Sequence, residues 1–189
     1  MKVILISRKN LTFIVVIAAA LFFIAVNTLL ARDNLIQVSG SFREDIPIYS
    51  VETDEKKCAI TFDCAWGASD IPNILDTLDK YHAKATFFIV GLWAEKYPDM
   101  VKLIDERGHE IANHGYSHLH MASLPEEKIA EEITRCTQVL EELTGQKVKL
   151  FRPPYGEYDA EVVKTAQKLG YQTIQWDCDS LDWKKDMGK

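Results

Sequence analysis

A chain of 189 residues, 47% of them apolar, is long enough for one packed domain and a short appendage. Its formal net charge of −6 at pH 7 leaves no basic footprint for neutralising phosphates, which argues against nucleic acid as a partner. Four cysteines are too few for a disulfide framework in a chain of this length.

The N-terminus stands apart. Residues 1–10 carry Lys2, Arg8 and Lys9 and no acid, and Leu11 to Ala31 then runs without a charge. About 20 apolar residues suffice to cross a bilayer as a helix. A cleaved signal peptide and a retained anchor are the two readings. The length of the run, and the poor match of Asn27-Thr28-Leu29-Leu30-Ala31 to a small-residue cleavage site, favour the anchor. The basic flank puts residues 1–10 in the cytoplasm, a transmembrane signal anchor at 11–31, and the rest outside the cell membrane as a single-pass protein. Without those three cations the remainder holds 19 Lys and Arg against 28 Asp and Glu, about −9.

Residues 32–56 read as a stalk, and 57–189 as the domain. Cys58 to Phe62 reads as a first strand, with Cys58 a packed thiol. Asp70 opens a helix carrying Ile71, Ile74, Leu75 and Leu78 on one face, with Pro72 in its first turn. Ala85 to Val90 is a second strand. A helix from about Asp99 stops at Gly108, and Glu110 to Ala112 is a third strand. Ser123-Leu124-Pro125-Glu126 has the spacing of a capping box. It introduces a helix with Ile129, Ile133, Cys136, Leu140 and Leu143 on one stripe, closed by Gly145. Val148 to Phe151, a helix over Asp159 to Leu169, and Thr173 to Trp176 complete the order. Strand–helix alternation implies a parallel α/β sheet with its chemistry at the carboxyl ends of the strands.

Four segments sit at such ends. His114 and His118, four apart in a polar loop, can converge on one metal ion if the loop makes a helical turn; two surface histidines would share that spacing. Asp63, in Thr61-Phe62-Asp63-Cys64-Ala65-Trp66-Gly67, follows an apolar strand, as a loop acid or a helix cap also would. Phe151-Arg152-Pro153-Pro154-Tyr155-Gly156 stiffens the backbone around the Arg152 guanidinium and the Tyr155 N–H, although a plain turn would look alike. Trp176 to Trp183 mixes acids and tryptophans, a combination suited to sugar rings or to an ordinary amphipathic edge. His82, His109 and His120 fall outside these patterns.

Taken in this order, over Lys57 to Trp183, the four segments resemble the family 4 carbohydrate esterases, the NodB-type polysaccharide deacetylases; the sporulation-associated branch looks closest. The resemblance implies a distorted (β/α) barrel, incomplete at its C-terminus, and a metal-dependent hydrolase that removes N-acetyl groups from peptidoglycan or a related cell-wall glycan. It implies Asp63 as general base, His114 and His118 as ligands of a divalent metal (zinc, or cobalt), and Arg152 as the residue that orients the base. It further implies the Tyr155 N–H as oxyanion donor, Asp179 as a supporting acid, and Trp183 on the groove.

Two departures matter. Cys64 stands where the family places a second, metal-binding aspartate: either its thiolate substitutes or water completes the shell. Nothing after Trp183 matches the family's last motif, which carries a general-acid histidine. The sequence therefore leads us to expect a truncated, weakly active or inactive deacetylase, with a glycan-binding or spore-envelope protein on the same fold as the alternative.

Overall fold

The structure, a computed structural model, describes residues 45–184. The expected membrane segment lies outside them; among the described residues no helix is long and apolar enough to cross a membrane.

Five parallel strands form one sheet in the order β1 (Ile60–Cys64), β2 (Ala85–Ile89), β3 (Glu110–Asn113), β4 (Leu150–Phe151) and β5 (Gln172–Thr173). Between them run α1 (Ile71–Lys80), α2 (Gly91–Lys96), α3 (Pro98–Glu106), α4 (Glu126–Thr144) and α5 (Ala160–Lys168), with 3₁₀ turns at Met121–Ser123 and Pro154–Gly156. Strict sequential order of parallel strands is barrel-type winding, in which every crossover packs on the same side of the sheet. The α/β expectation therefore holds.

Alternation along the strands sorts side chains onto two faces. Phe62 and Cys64 of β1, Ala85, Phe87 and Ile89 of β2, and Ile111 of β3 join Leu75, Val101, Ile104 and Leu140 in the main core beneath the helices. Phe62 stacks on Phe87 with ring centroids 5.1 Å apart. A smaller cluster of Met121, Ile129, Ile133, Phe151, Val162 and Ala166 packs α4 and α5 onto the last strands. Thr61, Asp63, Thr86 and Phe88 take the opposite face, where the polar chemistry collects.

Several boundaries differ from the sequence reading. The first strand begins at Ile60, so Cys58 is exposed rather than packed, while Cys136 is buried as expected. The segment assigned to a stalk already contributes to the sheet, because Ile48 bridges Ile174 in parallel, beside β5. The capping box does not form. Pro125 is the N-cap of α4, and the Ser123 hydroxyl donates instead to the His120 carbonyl at 2.7 Å. Gly145 does close α4, at φ 71°, where a side chain would strain the backbone. Helix α2 escaped notice because it has six residues and no capping side chain. Its glycine serves close packing: a Cβ on Gly91 would sit 2.4 Å from the Tyr116 ring.

Candidate active site

Asp63, His114 and Arg152 follow from strand geometry. Each lies at the carboxyl end of a neighbouring or nearby strand on the sheet face away from the helices, so their side chains converge. Arg152 is 2% exposed and organises the group. Its Nη1 donates to Asp63 Oδ1 at 2.6 Å and to Thr61 Oγ1 at 3.0 Å. Its Nη2 donates to the Gln175 carbonyl at 3.0 Å, and Nε reaches the Ile174 carbonyl at 3.4 Å. The guanidinium also lies 3.9 Å from the Phe88 ring centroid, so its faces and edges are both used.

The same residue fixes a histidine through its backbone. His114 Nδ1 and the Arg152 carbonyl are 2.8 Å apart, which places the proton on Nδ1 and leaves the Nε2 lone pair free. Nε2 faces Asp63 Oδ2 at 3.6 Å. Burial pushes the His114 pKa down, against the pull of Asp63, so the ring is neutral near pH 7. His118 lies with its ring centroid 5.2 Å from that of His114. Burial, and His114 beside it, push its pKa down to about 4. Its Nδ1 is buried without a hydrogen-bond partner. Its backbone is left-handed at φ 57°, a conformation that costs on the order of 1 kcal/mol and gathers at functional sites.

The donor set fits a borderline divalent ion: two neutral imidazoles, one with its far nitrogen already oriented, and a carboxylate nearby. Among the described residues no group of three or more His, Cys, Asp or Glu side chains is disposed to hold an ion. The two histidines line the open cleft, so an ion seated on them would be within reach of water and substrate. Cys64 lies in the next position of β1 after Asp63. Its side chain packs in the main core, and burial, with Asp63 next to it, pushes the thiol up to about 12.

Tyr155 takes φ 61° in the 3₁₀ turn after Pro153, and its ring lies 4.4 Å from His118 and 4.2 Å from His120 between centroids. His120, unremarkable in the sequence, stacks nearly parallel on Tyr155 and pairs with Glu157 at 2.7 Å. Asp179 is on the cleft wall but apart from the arginine: its Oδ1 accepts from the Leu181 N–H at 2.8 Å. The cleft holds about 810 Å³ and is rimmed by exposed Trp66 and Trp183.

Two buried residues that sequence reasoning missed hold the histidine loop. Glu132 of α4 accepts from the N–H of Tyr116 at 3.0 Å, the N–H of Ser117 at 2.7 Å and the Ser117 hydroxyl at 3.0 Å. Asn113 donates to the Ile133 carbonyl at 2.7 Å and to Thr137 at 2.9 Å, and accepts from Gly115 N–H at 2.8 Å. A signal was present for the first, since Glu132 falls inside the apolar stripe of Ile129, Ile133 and Cys136.

The sequence profile of the polysaccharide deacetylases matches residues 50–174. The chain belongs to the polysaccharide deacetylase family. It is 38% identical over 136 residues to a peptidoglycan-N-acetylglucosamine deacetylase of Bacillus cereus, covering 72% of this chain and 50% of that one. It is 32% identical over 137 residues to a peptidoglycan-N-acetylmuramic acid deacetylase of Bacillus subtilis, covering 72% and 52%. A solved structure from Bacillus anthracis, described as a family 4 carbohydrate esterase pseudoenzyme, superposes with a TM-score of 0.71 at 36% identity, covering 73% and 49%. The chain thus spans about half the length of the curated relatives it matches.

Proposed function

We propose that this polysaccharide deacetylase domain removes N-acetyl groups from a cell-wall glycan of the peptidoglycan type, with a divalent metal, at the face of the cell membrane. One observation carries the reading. Asp63 has one carboxylate oxygen fixed by Arg152 at 2.6 Å and the other facing the free nitrogen of His114 at 3.6 Å, in an aromatic-rimmed cleft.

His114 and His118 would hold the ion, zinc or cobalt, through neutral nitrogens. Bound there, it would supply Lewis acidity to the acetamide carbonyl and to a water. Asp63 accepts the water's proton on Oδ2, the oxygen that Arg152 leaves free. Arg152 keeps that carboxylate aimed. The Tyr155 N–H, in its left-handed turn, serves the oxygen on which negative charge develops. As the C–N bond breaks, the leaving nitrogen takes the proton that Asp63 accepted from the water, so acetate and the amine depart and Asp63 returns to its carboxylate form. Asp179 supports the cleft from its wall. Exposed Trp66 and Trp183 offer flat faces to sugar rings. The retained anchor at 11–31 would place the domain outside the cell, where such a glycan lies.

A second reading is favoured by one observation: the 36%-identical structure from Bacillus anthracis is described as a pseudoenzyme, and a mutant of it as having restored activity. With Cys64 in the core, this chain would then bind glycan without cleaving it. Acetate release from N-acetylated peptidoglycan, measured on the full chain, separates the two. The first reading expects release with added zinc or cobalt and its loss on chelation. Glycan binding without release in either metal would establish the second.

A further inference from the structure

We infer that a second cleft, across the wall made by Trp66, His118 and Tyr155, receives a carboxylate-bearing unit of the glycan while a neutral N-acetylated sugar occupies the main cleft. The inference rests on the glycan reading above and specifies the substrate's charge pattern.

The second cleft holds about 390 Å³, within the range of small-ligand sites, and shares Trp66, His118 and Tyr155 with the main one. Because the clefts share these residues, a polymer with its acetamide at the two histidines would extend over that wall into the second cleft. The floor of the second cleft is aromatic and rigid. The indole N–H of Trp93 donates to the Gly67 carbonyl at 2.9 Å, and the Trp93 ring tilts against Tyr97 with centroids 5.3 Å apart. Leu92, 48% exposed, adds an apolar edge, and Ser117 a hydroxyl.

Charge distinguishes the two spaces. The main cleft is lined by Asp63, Asp70, Asp179 and Asp182, and its only cation among the described residues, Arg152, is spent on Asp63. With the ion on the two histidines engaged by the acetamide, no cationic side chain among the described residues there is left to pair with a further carboxylate. The second cleft has, among the described residues, a single charged lining residue, Lys96, whose Nζ lies 5.0 Å from the Tyr97 ring centroid. A neutral sugar would use the aromatic floor and have no need of an ammonium; a sugar bearing a carboxylate would use both. In a chain with 28 acids against 22 bases, a cation at this place selects an anion. The acid could be carried on the sugar itself, as in N-acetylmuramic acid, or on an attached peptide.

Calorimetric titration of the full chain with three probes tests this. They are a neutral chitin tetramer, a tetramer alternating N-acetylglucosamine with N-acetylmuramic acid, and that tetramer with its peptides. Lys96→Gln should weaken an acidic probe about fivefold at low salt and leave the chitin tetramer unchanged, with Lys96→Arg restoring the difference. A loss already seen without peptides assigns the carboxylate to the sugar; a loss seen only with them assigns it to the peptide. Equal loss for the neutral probe, or no loss for either acidic probe, overturns the inference and leaves the deacetylase reading standing. Failure of the wild-type chain to bind any of the three would remove both.

Discussion

Replacing Arg152 with methionine should cost about 3–5 kcal/mol of stability and abolish acetate release. The substitution keeps much of the buried volume, so packing is not the cause. It removes the donors that serve Asp63, Thr61 and the carbonyls of Ile174 and Gln175, and strips the cation from beside the Asp63 carboxylate. Three strands lose their common tie at once. Arg152→Lys should recover little, because one ammonium cannot span four acceptors arranged for a planar fork. Urea denaturation at neutral pH measures the effect. An Arg152→Met variant within about 1 kcal/mol of the wild type would show that the network is ornamental to the fold.

A comparable loss is expected at a position with no contact to substrate. Glu132→Ala leaves two backbone N–H groups and the Ser117 hydroxyl without their acceptor, in a site where the carboxylate was 3% exposed. Unsatisfied buried donors cost about 1–3 kcal/mol each before relaxation, and water will reach some of them; a net loss of about 2–4 kcal/mol follows. The loop released is the one carrying His118, so zinc affinity should fall by about 10- to 100-fold, as when an outer partner of a metal ligand is removed. Glu131→Gln, one residue away, touches only the exposed Lys128 pair at 2.8 Å and should change neither quantity measurably. If both variants behave alike, the carboxylate does not position the loop.

The contrast between these positions explains what the sequence made legible. Asp63, His114 and Arg152 were readable because each ends an apolar strand, and parallel strands in sequential order deliver their ends to one place. The stripes of α1 and α4 were readable because helical periodicity survives any tertiary context. The capping box misled because Pro125 supplies an extended N-cap, while Ser123 satisfies the His120 carbonyl in its own short turn. Cys58 misled because Cys58 and Ala59 extend the apolar run ahead of the strand, whereas pairing with Ala85 begins at Ile60. The part played by Ile48 beside β5 could not be read at all, since it rests on one bridge between residues far apart in the chain. Cys64 was ambiguous until the alternation along β1 assigned it to the helix side of the sheet, opposite Asp63. His120 gains its stacking on Tyr155 only through a loop conformation that no local pattern encodes.

The central claim is that Asp63 moves the proton while the two histidines hold the ion, and these duties can be separated. Asp63→Asn keeps shape and a hydrogen-bonding oxygen for Arg152 but cannot accept a proton. The measurement is acetate release and zinc affinity on the same preparation of the full chain and of this variant. The account predicts release lower by about 10²–10⁴ with zinc still bound through His114 and His118. Undiminished release by the Asp63→Asn variant, with zinc bound, would contradict it.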